Sequence, residues 1–279
     1  MRLRSDAICK DSMKMKFAII SDIHFGPAKF DTPETHAIAS LLPEIVGKIV
    51  SQINEQDDLE FIIHLGDLVQ ENRNNPSREE DLRSGAQVLE ILRQVKVPLY
   101  HVVGNHDRVT LEMADLIAMF GRNLFYSFES SCFTNIVLQC ESPRHVNVHL
   151  VDQEMEWLSD QLSKSKKPVL VFMHQLLVEH PLEGTSCEGM PDCAYVRNKE
   201  EIRDLLESSK KVKAVFNGHM HRNLSRVENS IPYISVQAMT EVLAGGLTTA
   251  EAYAIVEIDE SQLSVDVRGN DAIRYVHKW

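Results

Sequence analysis

Long apolar runs are missing from this sequence: none approaches the ~20 residues that a membrane-spanning helix needs, so no membrane segment is expected. Glycine and proline are sparse, at 12 and 10 residues, which removes collagen-like and low-complexity architectures. The 5 cysteines are odd in number and form no CxxC pair. That excludes a disulfide-stapled scaffold and fits a reduced, cytoplasmic protein. Cys187 and Cys193 share a Gly/Pro-bearing loop and read as two free thiols, ahead of a disulfide or a stray metal site. Positive charge is short as well. Lys and Arg number 29 against 41 Asp and Glu, a net charge of −12, the wrong sign for a nucleic-acid platform or an anionic lipid surface. A local metal-bearing pocket can still attract a small anion, and a homo-oligomer is compatible with this composition. Residues 1–14 carry positive charge without the apolar stretch of a secretory signal and are expected to be a flexible lead-in. Residues 15–279 are expected to form a single domain.

What is present is a repeated grammar: a short apolar run, then a polar residue able to bind metal. Residues 16–21 lead to Asp22, 60–66 to Asp67, and 97–103 to Gly104-Asn105-His106-Asp107. Residues 168–173 lead to His174, and 212–217 to Gly218-His219. Runs this short, rich in Val, Ile and Phe, predict buried strands. Amphipathic stretches at 35–52, 79–95, 153–162 and 198–206 predict helices between them. The alternation predicts an α/β core. Further strands are expected at 126–129, 132–139, 146–151, 231–236, 253–259 and 263–268, the last two joined by a turn at 259–262. A second sheet packed on the first is the economical arrangement.

Ligands of open α/β sheets bind at the carboxyl ends of strands, and all these polar residues stand there. Asp22, His24, Asp67, Asn105, His174, His219 and His221 together offer more oxygen and nitrogen donors than one ion takes once water is included. Imidazole with carboxylate suits Mn, Fe, Co or Zn, and the lack of cysteine donors argues against a closed structural zinc site. In a two-metal arrangement the ions share a carboxylate. Asp67 is the natural bridge, with two oxygens to divide and Gly66 allowing a tight turn before it. Such a centre activates a hydroxide for in-line attack on phosphorus. His106 can protonate the departing oxygen, and Asp107, directly after it, is expected to orient that imidazole.

The ordered set DxH, GD, GNHD, H and GHxH resembles the calcineurin-like metallophosphoesterase superfamily over residues 15–267. Glu156-Trp157-Leu158 before the fourth strand resembles its bacterial branch of cyclic-nucleotide and glycerophosphodiester phosphodiesterases. The resemblance implies a four-layer αββα sandwich of two mixed sheets. It assigns Asp22, His24 and His221 to one metal and Asn105, His174 and His219 to the other, with Asp67 between them and His106 on the phosphate. One departure is visible: Gln175-Leu176-Leu177 follows His174, where that branch often carries a second His and a Pro.

The expected activity is therefore hydrolysis of a small phosphodiester, a cyclic nucleotide or similar. Phosphomonoesterase or nucleotide pyrophosphatase activity is the alternative, and a metal-stabilised interaction module of the same fold is the non-enzyme reading. His64 and His101 read as core histidines; His36, His145, His149, His180 and His277 have no motif context. Phe25, Gly26 and Pro27 read as a pocket rim or a plain turn. The loop 179–197 follows a ligand strand and is expected to overhang the site, with Tyr195 and Arg197 as candidate substrate selectors.

Overall fold

The computed structural model describes residues 14–27, 33–141, 148–185, 187–243 and 248–279. The expected lead-in lies almost wholly outside the described residues, as does His145. In chain order the elements begin β1 (Met15–Ile20), α1 (Pro33–Asn54), β2 (Ile62–His64), α2 (Arg78–Leu92), β3 (Leu99–His101) and α3 (Met113–Phe120). There follow β4 (Tyr126–Glu129), β5 (Thr134–Val137), α4 (Asp152–Lys164), β6 (Val169–Phe172), α5 (Pro191–Ala194) and α6 (Lys199–Ser208). The chain closes with β7 (Val212–Asn217), β8 (Leu224–Glu228), β9 (Ile231–Ser235), β10 (Tyr253–Ile258), β11 (Gln262–Arg268) and β12 (Ile273–Lys278).

These strands form two six-stranded sheets, ordered β12-β11-β10-β1-β2-β3 and β4-β5-β6-β7-β9-β8. Both are mixed. In the first, β1, β2 and β3 run parallel while β10, β11 and β12 pair antiparallel. In the second, β5, β6, β7 and β9 are parallel and the edges β4 and β8 antiparallel.

Side chains alternate across a strand, so an apolar run buried on both faces must lie between two cores. In β1, Phe17 and Ile19 enter the core between the sheets, whereas Ala18 and Ile20 meet the helices outside. Phe17, Phe61, Phe172 and Phe216 stack and tilt against one another in the inter-sheet core, Phe17 and Phe61 at 4.7 Å between centroids. On the outer face of the first sheet α1 and α2 bury Leu42, Val46, Ile49, Val88 and Leu92. Outside the second, α4 and α6 bury Leu158, Leu162, Ile202 and Leu206. The result is the expected αββα sandwich. At the start of α2, Ser77 accepts a hydrogen bond from the Glu80 N–H, and Glu79, Glu80 and Asp81 sit in the first turn, where the helix dipole favours negative charge.

Several elements differ from the sequence expectation. Residues 148–151 form no strand; Glu141 and His149 make only an isolated antiparallel bridge, and 146–147 lie outside the described residues. α3, at eight residues, is too short for its period to stand out from the sequence. The edge strands β8 and β12 are half-exposed and charged, so neither presents the apolar run that marks a buried strand. The β10–β11 hairpin forms where expected, with Asp259 Oδ1 accepting from the Ser261 and Gln262 N–H groups.

Candidate metal centre

Five strand ends deliver the donors: β1 and β2 supply Asp22, His24 and Asp67, β3 supplies Asn105, and β6 and β7 supply His174, His219 and His221. The site therefore straddles both sheets. The backbone that aims these side chains is unusual. Asp22, His24, Asp67, His219 and His221 all take positive φ, between 48° and 71°, a region that costs a non-glycine residue energy and collects at functional sites. Gly66, at φ 105°, turns the chain into Asp67, and a Cβ there would meet His174 Nδ1 at 2.5 Å.

The side chains gather in two groups that share Asp67. Asp22, His24, Asp67 and His221 form one, and Asp67, His174 and His219 the other, each able to present one donor atom within 4.8 Å of the rest. Asp67 Oδ2 lies 3.7 Å from His24 Nε2 and 3.2 Å from His174 Nε2. Its Oδ1 accepts the His106 backbone N–H at 2.7 Å. The sequence reading divided both oxygens between two ions; here a single oxygen faces both groups. His221 Nε2 stands 3.0 Å from His24 Nε2 and 3.4 Å from Asp22 Oδ1. Asn105 Oδ1 is 3.1 Å, and His219 Nδ1 3.2 Å, from His174 Nε2.

Each imidazole is held by its other nitrogen, which fixes the tautomer that turns a lone pair inward. His24 Nδ1 meets Gln70 Oε1 at 3.1 Å, His174 Nδ1 meets the Leu65 carbonyl at 2.8 Å, and His221 Nδ1 meets Glu241 Oε2 at 2.7 Å. His219 is reversed: Nε2 meets the Cys193 carbonyl at 2.8 Å, leaving Nδ1 to the centre.

The electrostatics suit cations. Burial alone would raise the Asp22 and Asp67 carboxyls, but neighbouring histidines hold both below their ordinary value. Burial opposes charge on His174 and His221, yet the carboxylates around them push the two rings up to about 9 and about 10. Burial, with His174, drives His219 down to about 3. Two buried carboxylates whose ion-pair partners are histidines, ringed by oriented imidazoles, fit a pair of divalent ions in place of those protons.

His106 lies alongside, its ring edge-on to His24 at 4.8 Å. The carboxylate on its Nδ1 is Glu71, at 2.7 Å, and not Asp107. Asp107 is fully buried and accepts backbone N–H groups of Asp67, Leu68, Val69 and Gly104 at 2.8–3.1 Å. It clamps two ligand loops together; burial and Asp67 push its own carboxyl up to about 7. The expectation for Asp107 is corrected accordingly. Sequence reading missed Gln70, Glu71 and Glu241, whose only signal was polar residues beside apolar ones: Gln70-Glu71 after Leu68-Val69, and Glu241 before Val242-Leu243.

The 179–197 loop reaches the site through Cys193 and Cys187, whose Sγ lies 3.3 Å from His219 Nε2, not through its candidate selectors. Tyr195 is tied to the loop, its hydroxyl donating to the His180 carbonyl at 2.7 Å, and Arg197 is exposed. Cys187 and Cys193 hold their Sγ atoms 3.7 Å apart without a disulfide and, with His219, form a third group able to present metal donors within 4.8 Å of one another. Phe25 bridges to Val69, and Pro27 lines a cavity beside His24. His64 and His101 are buried; neither ring nitrogen of His64 has a hydrogen-bond partner among the described residues, and burial holds that ring neutral, at about 4.

A sandwich with such a donor cluster across its strand ends defines a metallophosphoesterase. The chain belongs to the calcineurin-like phosphoesterase family, which residues 15–223 match. It is 22% identical over 231 residues to a "probable cyclic nucleotide phosphodiesterase" of Psychrobacter arcticus, spanning 77% of each chain. It is 27% identical over 217 residues to the serine/threonine-protein phosphatase CPPED1 of Danio rerio, spanning 70% of this chain and 65% of that one. Its fold resembles the crystal structure of a dimetal phosphatase from Danio rerio, with TM-score 0.74 and 17% identity over 95% of this chain and 99% of that one. No helix among the described residues is long and apolar enough to cross a membrane.

Proposed function

We propose that this chain hydrolyses a small phosphodiester, a cyclic nucleotide or similar ester, at a centre holding two divalent ions. The observation that carries this is Asp67 Oδ2, which lies 3.7 Å from a ring nitrogen of one donor group and 3.2 Å from a ring nitrogen of the other. Asp22, His24 and His221 would hold one ion and Asn105, His174 and His219 the other, with Asp67 available to both. The ions supply Lewis acidity toward phosphoryl oxygens and lower the pKa of a bound water. The chain's own residues do the rest. Gln70, Leu65, Glu241 and Cys193 fix the imidazoles through the hydrogen bonds described above. His106, with Nδ1 held by Glu71, delivers the proton from Nε2 to the departing oxygen.

The names of relatives such as that of Psychrobacter arcticus support the diester. A phosphomonoester is the second reading, favoured by the CPPED1 relatives, 27% identical in Danio rerio. The odd number of cysteines and the lack of a CxxC pair support a reducing, cytoplasmic setting.

The test is to load the protein with Mn, Fe, Zn or Co, count ions by elemental analysis, and assay cyclic nucleotides, linear diesters and phosphomonoesters. About two ions per chain with faster turnover of diesters is the expected result. One ion at saturation overturns the dinuclear centre, and faster turnover of monoesters selects the second reading.

A further inference from the structure

Beside His24 and His221 the surface folds into a cavity of about 190 Å³. Ile38 and Leu42, one helical turn apart on α1, form one wall, and Pro27 and Val242 contribute further apolar surface. The polar groups around it are committed elsewhere. Gln70 faces His24 at 3.1 Å and donates to Glu71 at 2.9 Å, and Thr240 donates to the Ile23 carbonyl at 3.0 Å. Glu241 holds His221 Nδ1 at 2.7 Å. Among the described residues, what faces the space is apolar carbon, the His24 and His221 rings and the Glu241 carboxylate, with no lysine or arginine.

We infer that this cavity seats the organic substituent of the phosphate ester, and that it selects a neutral ring system of nucleobase size over a substituent bearing negative charge. The inference rests on the phosphoesterase reading for where the phosphate sits. A phosphate held by the donors that include His24 and His221 sends its substituent against the adjoining wall, because those two side chains also line the cavity. Apolar burial then rewards a ring. A dry cavity of ~150 Å³ accepts benzene, so this one, at about 190 Å³, has room for a ring of at least that size. A carboxylate or further phosphate on that ring would be desolvated near Glu241, with no lysine or arginine among the described lining residues to pair with it, a device that rejects as well as selects.

Three non-hydrolysable probes test it on the metal-loaded protein by calorimetry: methylphosphonate, phenylphosphonate and 4-carboxyphenylphosphonate. Phenylphosphonate is expected to bind about tenfold or more tighter than methylphosphonate, and the added carboxylate to erase that gain. Ile38→Trp, which fills the cavity, should bring the phenyl-to-methyl ratio near one. Val242→Lys should recover the carboxyphenyl probe relative to phenyl. Equal affinity for phenyl and methyl probes, or a phenyl preference that survives Ile38→Trp in folded protein, overturns the inference while leaving the phosphoesterase reading intact. Failure of all three probes to bind protein holding its ions overturns that reading and the inference with it.

Discussion

With Glu71 on Nδ1 of His106 and the backbone N–H of the same residue on Asp67, ring and main chain of one histidine serve different ends. His106→Ala keeps the main-chain hydrogen bond, so both ions should stay while the rate falls ~10²–10⁴-fold. The loss should be largest for an alkoxide leaving group and small for a nitrophenolate, which needs little protonation. Glu71→Gln should give a milder version of the same pattern, because an amide oxygen still accepts from Nδ1. Metal content measured beside rates on both ester types checks this; equal losses on both would point to phosphate binding instead. Outside the donor groups, Glu154 is buried and accepts the Gln139 N–H at 2.7 Å, and burial pushes its carboxyl from 4.5 up to about 8. A raised carboxyl pKa means that the folded chain keeps a proton the unfolded chain releases. Stability from this residue is full at low pH and is lost as pH climbs from about 4.5 to about 8. Glu154→Gln should flatten that decline; urea midpoints at about pH 5 and about pH 8.5 compare the two proteins, and equal slopes would count against it.

Among elements, the strand-end turns carry the chemistry, and they were legible only in part. The apolar runs before Asp22, Asp67, Asn105, His174 and His219 announce buried strands, since a strand covered on both faces reads as a continuous apolar run. α3, β8 and β12 gave no such announcement, being short or half-exposed. The turn after β3 shows how tightly these pieces fit. A Cβ on Gly104 would run into Asp67, against both its Oδ1 and its backbone nitrogen. Gly104→Ala should therefore displace the shared carboxylate and weaken both ions together, with secondary structure retained. Elemental analysis with far-UV circular dichroism checks it, and full occupancy of both ions in the variant would show that the loop yields.

At the scale of the whole molecule the centre joins two sheets that also meet through apolar contact, including the Phe17, Phe61, Phe172 and Phe216 cluster. Asp22, His24, Asp67 and Asn105 follow strands of the first sheet, His174, His219 and His221 strands of the second. Ions bound there should stabilise the fold by linkage, by ~2.7 kcal/mol for a single site at a free concentration one hundred times its Kd. Tm should rise on loading and fall on chelation, and Asp67→Asn should remove most of that response. A Tm indifferent to metal would separate the centre from the fold's stability.

The sequence by itself determined the alternation of strand and helix, because side-chain periodicity follows directly from residue order. It also determined the donor inventory, because only certain side chains can ligate a divalent ion. Tertiary structure alone decided which atoms meet. Gln70, Glu71, Glu241 and the Cys193 carbonyl orient rings up to 46 positions away in the chain, in the pair Gln70–His24, and no local pattern encodes such a distance. It decided that Asp107, next to His106, serves the backbone instead of that ring, because four N–H groups from two loops converge on its carboxylate. It also decided the positive φ of Asp22, His24, Asp67, His219 and His221, a strain that a chain adopts only where surrounding packing and hydrogen bonds outweigh its cost.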